Sequence, residues 1–359
     1  MKKLSSLILS AVVLTSLLGP VGAAGAKGTT PENSLQATVS FEDGISSSEV
    51  ASQKLIDFER NALNAIQQES NLSSKSNVAK NLDGSDVASE NNEVFNYIST
   101  DENFTYLYES YTDGREAKIL VGENQENAPI QSINNITPLA AVNLPDGWGG
   151  RQRITSSGSV LTTSVNLPSS VTKAGNGVPY IYVGFSGSKE SDMGLQYAMN
   201  RGPAQNQPAW VPYMRLSGGV YGSQVAPNDQ VSYKNGYKQG TTVGFQAYRN
   251  YNNTGKVRLT TFGYAICSDY VCTNTGNYYL TTIVEYTMAV TSISSWKVLA
   301  TVAVLSGQTE GTATYSTTFN NIVIDFVAVP SANFQTPEED YATISRTSNN
   351  VTINVKKTS

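Results

Sequence analysis

The chain has 359 residues, of which 15% are charged, a net charge of −5 and no histidine. That length holds one large domain with a leader, or two ordinary domains. The missing imidazole excludes Ser-His-Asp triads, Cys-His dyads, HExxH zinc sites and every histidine general base. Any catalyst would draw on Tyr, Asp, Glu, Lys, Arg, Ser or Cys, and no catalytic set is assigned.

Residues 1–26 read as a secretory signal: Lys2 and Lys3 precede the apolar run Leu4 to Leu18, and Ala24-Gly25-Ala26 offers a cleavage site. The run is short for a membrane span, so the expected mature product is secreted, extracellular and free of the membrane. Residues 27–140 carry 18 acidic and 7 basic side chains, whereas residues 141–359 carry 11 acidic and 15 basic. The acidic segment is expected to be small, helical or irregular, serving either as a propeptide or electrostatic cover, or as a spacer or small extra domain. Within it, Leu55, Phe58, Ala62 and Ile66 keep helical spacing across Ser48 to Glu69. Val94 to Ile98, Phe104 to Tyr108 and Ala117 to Val121 are short strand candidates. Asn71 to Asn92 reads as a loose polar stretch and Asn124 to Pro138 as a linker.

Residues 141–330 carry the pattern of an all-β domain, an antiparallel sandwich of short strands punctuated by turn residues. The predicted strands are Gly158 to Asn166, Pro179 to Phe185, Met193 to Ala198, Trp210 to Leu216, Gln230 to Tyr233, Thr242 to Arg249, Lys256 to Cys267, Tyr278 to Met288, Lys297 to Leu305 and Thr312 to Phe326. Asn235-Gly236, Asn252 to Gly255 and Thr275 to Asn277 supply turns between them. Residues 331–359 form a C-terminal hairpin or tail, turning near Asn349-Asn350. Cys267 and Cys272 either close a local disulfide or remain two thiols or a metal pair.

Strand alternation separates a core set from an outward set. With Ile181, Val183 and Phe185 inward, Tyr180 and Tyr182 face out. The same logic sends Tyr213, Arg215, Gln246, Tyr248, Arg258 and Tyr264 outward, with Gln196 or Tyr197 joining them according to register and Trp210 added as a neighbour. Rings, planar amides and guanidinium groups suit a polysaccharide, and arginine adds attraction for uronic acids or other anionic glycans. The competing view is that these are scattered surface positions. Glu190-Ser191-Asp192 is read as a turn or a calcium contact rather than a catalytic pair, and no motif supports calcium or any other cofactor or metal. The small positive excess beyond residue 140 is too mild for a nucleic-acid surface.

The phrases GRQRITSSGSV, VPYIYVGFSG, DMGLQYA and WVPYMR, with KNGYKQGTTV and VLATVAV behind them, resemble the YrpD-type family of secreted bacterial proteins over about Gly150 to Val329. The resemblance implies export and a β-rich domain without an assigned activity. A weaker, fold-level likeness points to concanavalin-like jelly rolls, which host lectins, glycosidases and lyases. The reading is a secreted, uncharacterised carbohydrate-binding β-sandwich protein of the cell wall or matrix, more a binder than an enzyme. The alternatives are a structural or surface-assembly protein without glycan specificity, and a polysaccharide lyase or hydrolase.

Overall fold

The computed structural model describes residues 34–75, 93–123, 147–217, 223–225, 232–303 and 311–358. The secretory signal, the linker at Asn124 to Pro138 and most of Asn71 to Asn92 lie outside them. In chain order the N-terminal strands are β1 (Thr38–Phe41), β2 (Glu93–Thr100), β3 (Phe104–Tyr111) and β4 (Lys118–Glu123), with helix α1 (Ser52–Lys75) between β1 and β2. There follow β5 (Gly147–Thr155), β6 (Val160–Asn166), β7 (Thr172–Ala174), β8 (Val178–Gly187), β9 (Glu190–Arg201), β10 (Gln207–Ser217) and β11 (Ser223–Val225). Next are β12 (Thr242–Tyr248), β13 (Lys256–Cys267), β14 (Thr275–Thr287), β15 (Ile293–Ala303) and β16 (Thr312–Ile324). The last are β17 (Val327–Ala328), β18 (Glu338–Asp340), β19 (Ala342–Thr347) and β20 (Asn350–Lys357).

These strands make an all-β sandwich of two packed sheets. The large sheet runs β1-β4-β3-β2-β14-β13-β12-β6-β16-β20-β19, and the small one β11-β10-β9-β8-β15-β5-β18. Their facing sides share one core. Ile181, Val183, Phe185, Trp210 and Val298 of the small sheet pack with Leu161, Val243, Phe245, Leu259 and Phe319 of the large one. Tyr315, on β16, crosses the core and donates to the carbonyls of Tyr180 at 3.1 Å and Thr301 at 2.7 Å, tying the two layers together.

The described part of the acidic segment holds more than its helix: the three expected strand candidates, and Thr38–Phe41 with them, are strands of the large sheet. β2 pairs with β14 in parallel, from Tyr279↔Glu93 to Glu285↔Ser99. Val94, Ile98, Leu107, Tyr111 and Leu120 then enter the common core. Their opposite faces, including Tyr97, Tyr106, Ile119 and Val121, meet α1 through Leu55, Phe58, Ala62 and Ala65. Both faces of these strands are therefore apolar, one toward the sandwich core and one toward the helix.

Several strand boundaries differ from expectation; Thr275 to Asn277, expected as a turn, opens β14. Ser232 and Tyr233, the described part of Gln230 to Tyr233, are not in a strand. The chain that follows is tied to both sheets instead: the Lys234 amide bonds to the Tyr270 carbonyl, and Tyr237 bridges Trp210 of β10 and Ala265 of β13. The Met193 strand extends back to Glu190, so Glu190-Ser191-Asp192 lies in β9 and not in a turn. Thr312 to Phe326 ends at Ile324, because Asp325 and Phe326 adopt φ of 51° and 62° in a tight turn into β17. Asp325 holds that turn by accepting the amides of Ser159 and Val160 at 2.7 and 3.0 Å.

Candidate ligand-binding face

The small sheet turns one side to the core and the other away from it. On the outward side the strand registers define three rows. Tyr213, Gly194, Tyr182, Leu299 and Arg151 form the middle one. Val211, Gln196, Tyr180 and Thr301 lie to one side of it, and Arg215, Asp192, Gly184, Lys297 and Arg153 to the other.

Three tyrosines gather at the centre. Tyr180 meets Tyr213 edge-on with ring centroids 5.0 Å apart, and Tyr182 at 6.2 Å. Such edge-to-face pairs are the arrangement that aromatic quadrupoles favour. Thr301 donates to the Tyr182 hydroxyl at 3.1 Å, fixing that ring. Tyr213 is nearly buried, and burial raises its phenol well above the usual range, so it stays a neutral donor. Gly194 separates Tyr182 from Tyr213. A Cβ there would stand 2.3 Å from the Ile181 carbonyl oxygen and 2.5 Å from the Tyr182 Cα, so the floor between the rings stays bare. Gln196, the register partner of Tyr180, also lines a cleft of 340 Å³ with Lys173, Val178, Met199, Asn200 and Arg201.

The charged row is internally paired. Lys297 is 3% exposed, and its ammonium lies 2.9 Å from Glu190 and 2.8 Å from Asp192. A Cβ on Gly184 would come 2.9 Å from the Lys297 Cε, so this glycine leaves the path along which the lysine crosses to β9. Burial alone would raise the Glu190 carboxyl. Lys297 and the Ser186 hydroxyl outweigh it and hold the carboxyl below its ordinary value. Glu338 of β18 binds both Arg151 and Arg153, the latter through Nε at 2.7 Å. It too is lowered, the two guanidinium groups overcoming burial.

The ten predicted ligand residues do not share one hollow. Tyr180, Tyr182, Gln196, Tyr213 and Arg215 come together on the small sheet. Trp210 does not join them: it points inward with no exposed surface and packs on Tyr197 at 5.2 Å. The correction has a simple cause, since Trp210 is one residue out of phase with Val211 and Tyr213. Gln246, Tyr248, Arg258 and Tyr264 lie on the far side of the molecule, on the outer face of β12 and β13. Tyr264 stacks edge-on against Tyr279, and Tyr248 donates to Gln246 at 3.1 Å.

Arg258 is 2% exposed and already engaged. Its guanidinium lies 3.3 Å over the Tyr251 ring, bonds Glu285 through Nε at 2.6 Å and comes within 3.9 Å of Glu69 on α1. Lys256 and Tyr97 complete the Glu285 shell, each at 2.8 Å. Burial would raise Glu285, but Arg258 and Lys256 pull it below the ordinary carboxylate value. Glu69 goes the other way, because burial exceeds the help from Arg258 and Thr260.

Sequence patterning missed Lys297, Arg151, Arg153 and Glu338, whose roles come from cross-strand register. It also missed Glu109, fully buried on the core side of β3. Glu109 accepts from Tyr111 and from the Tyr270 amide at 3.0 Å, and burial pushes its carboxyl up to about 7. Cys267 and Cys272 are bonded to each other. Among the described residues no cluster of three or more His, Cys, Asp or Glu side chains is arranged to hold a metal ion.

A family model described as a domain of unknown function, YrpD, matches residues 141–355. The chain belongs to the YrpD family. It is 36% identical over 228 residues to the uncharacterized protein YrpD of Bacillus subtilis (strain 168), a match covering 63% of this chain and 88% of that one. Among solved structures, a scytalido-glutamic peptidase with a transition state analog inhibitor aligns at a TM-score of 0.39 and 12% identity, over 59% of this chain and 98% of that one. SCP-B, an Eqolisin-family peptidase in complex with the tripeptide Ala-Ile-His, aligns at 0.36 and 10% identity, over 59% and 98%. The YrpD match takes in the whole outward face of the small sheet, whereas α1 and strands β1 to β4 fall outside it.

Proposed function

We propose that this chain is a secreted carbohydrate-binding protein whose binding surface is the outward face of the small sheet. The observation that carries this reading is the tyrosine triad. Two rings on β8 and one on β10 flank the intervening β9, whose Gly194 leaves a bare floor, with Gln196 leading into a 340 Å³ cleft. Rings take the C–H faces of a sugar, while the phenol groups and the amide take its hydroxyls. Binding without turnover fits the electrostatics. A glycosidase needs one carboxylic acid kept protonated, and both Glu190 and Asp192 lie against the Lys297 ammonium.

The test is a glycan array probed with the full chain. Tyr182→Ala and Tyr213→Ala should each weaken the hits by about ten-fold, which is about 1.4 kcal/mol. Tyr248→Ala, on the opposite side of the molecule, should leave them unchanged. Equal loss in all three variants, or an array without hits, removes the proposal.

A further inference from the structure

The outward face of the small sheet is charge-balanced as a whole. Among the described residues it carries four cations, Arg151, Arg153, Arg215 and Lys297, and four carboxylates, Glu190, Asp192, Glu338 and Asp340. The pairing is local. Lys297 touches Glu190 and Asp192, Glu338 touches Arg151 and Arg153, and Arg215 stands opposite Asp192 across β9 and β10. Asp340 occupies the same face opposite Gly149 of β5. The two cations bordering the cleft are directed at backbone: Lys173 donates to the Gly175 carbonyl at 3.3 Å, and Arg201 to that of Tyr233.

An anionic ligand would therefore have to part existing ion pairs, in which Lys297 and Arg151 are themselves buried. Removing one partner of such a pair is costly because it strands the other charge. A neutral, hydroxyl-rich chain meets no such barrier, since rings and amide accept it without disturbing any pair.

We infer that the ligand of this face is an uncharged polysaccharide, and that the paired charges exclude uronate- and phosphate-bearing chains. This rests on the carbohydrate-binding reading above, and it runs against the attraction for uronic acids that the outward arginines suggest in the sequence alone. Selectivity here comes from repulsion and blocked pairing as much as from contact. The cleft beside Gln196 lies in line with Tyr180, so the bound chain is expected to run from the tyrosine triad toward Asn200.

The deciding experiment titrates the full chain by calorimetry with neutral hexasaccharides, cello-, manno- and xylo-, and with hexagalacturonate, each at low and at physiological salt. The expected result is a neutral hit whose affinity changes less than about two-fold with salt, and hexagalacturonate at least about ten-fold weaker. Glu338→Gln, which leaves Arg151 and Arg153 facing a neutral amide, should gain hexagalacturonate binding that fades with added salt. Asp192→Asn provides the same gain at Lys297 and Arg215 should the first variant not fold. Tight, salt-sensitive hexagalacturonate binding by the unmodified chain, abolished by Tyr213→Ala, would overturn the charge inference and leave the site standing. Binding that ignores Tyr182→Ala and Tyr213→Ala would overturn the site itself, and the inference with it.

Discussion

Glu109 sits on the core side of β3 with no exposed surface, between Leu107 and Tyr111. An ionised carboxylate there loses its water, and the bonds from Tyr111 and the Tyr270 amide recover only part of that loss. Its carboxyl is accordingly raised to about 7 in the folded chain, above the value of about 4.3 for an unfolded glutamate. Between those two values the folded state binds the extra proton, so stability falls as pH rises through this window. The expected loss across it is roughly 4 kcal/mol. Glu109→Gln keeps the shape without the charge and should flatten that part of the profile. Urea unfolding at pH 5 and pH 8 measures it, and a variant with the same pH slope as the natural chain would refute the assignment. The alternation in FTYLYESY does not single this residue out, because both faces of β3 are apolar and either is a credible core side.

Helix α1 illustrates the next scale. Its apolar stripe is legible from spacing alone: Leu55, Phe58 and Ala62 are buried, and Ile66 packs beside them. What the stripe covers is not legible. The helix lies across the outer face of the N-terminal strands, with Phe58 5.5 Å from the Tyr97 ring and 5.2 Å from Tyr106. Its last described side chains then bring Glu69 to Arg258 and Thr260. Phe58→Ala opens a cavity between helix and sheet and should cost about 3–5 kcal/mol. Thermal denaturation followed by far-ultraviolet circular dichroism reads this directly, and a loss below about 1 kcal/mol would mean the helix contributes little to the fold.

At the scale of the molecule, the parallel joint between β2 and β14 makes one sheet out of an acidic segment and a mildly basic domain. Leucine, isoleucine and tyrosine side chains from both parts enter one core. They should unfold as a unit. All three tryptophans, Trp148, Trp210 and Trp296, lie beyond residue 140 and are buried. Their fluorescence should therefore register the Phe58→Ala destabilisation in full. A tryptophan transition unmoved by that variant would show two independent folding units. The charge asymmetry along the sequence marks two compositional zones and says nothing of how they join, since net charge speaks to solubility and association rather than to fold.

The sequence by itself determined most of the local terms: the helix, the majority of the strands though not β1 or β5, which side of Val178–Gly187 is core, and which family the phrases from Gly150 onward belong to. Those follow from periodicity and turn chemistry, which act over a few residues. Only the tertiary structure decided which strands are neighbours. Register across β5, β15, β8, β9 and β10 placed three tyrosines and four cations with their carboxylates on one face. It also sent Gln246, Tyr248, Arg258 and Tyr264 to the other side. Pairing between strands far apart in sequence is set by the fit of whole faces, and no single strand carries that information.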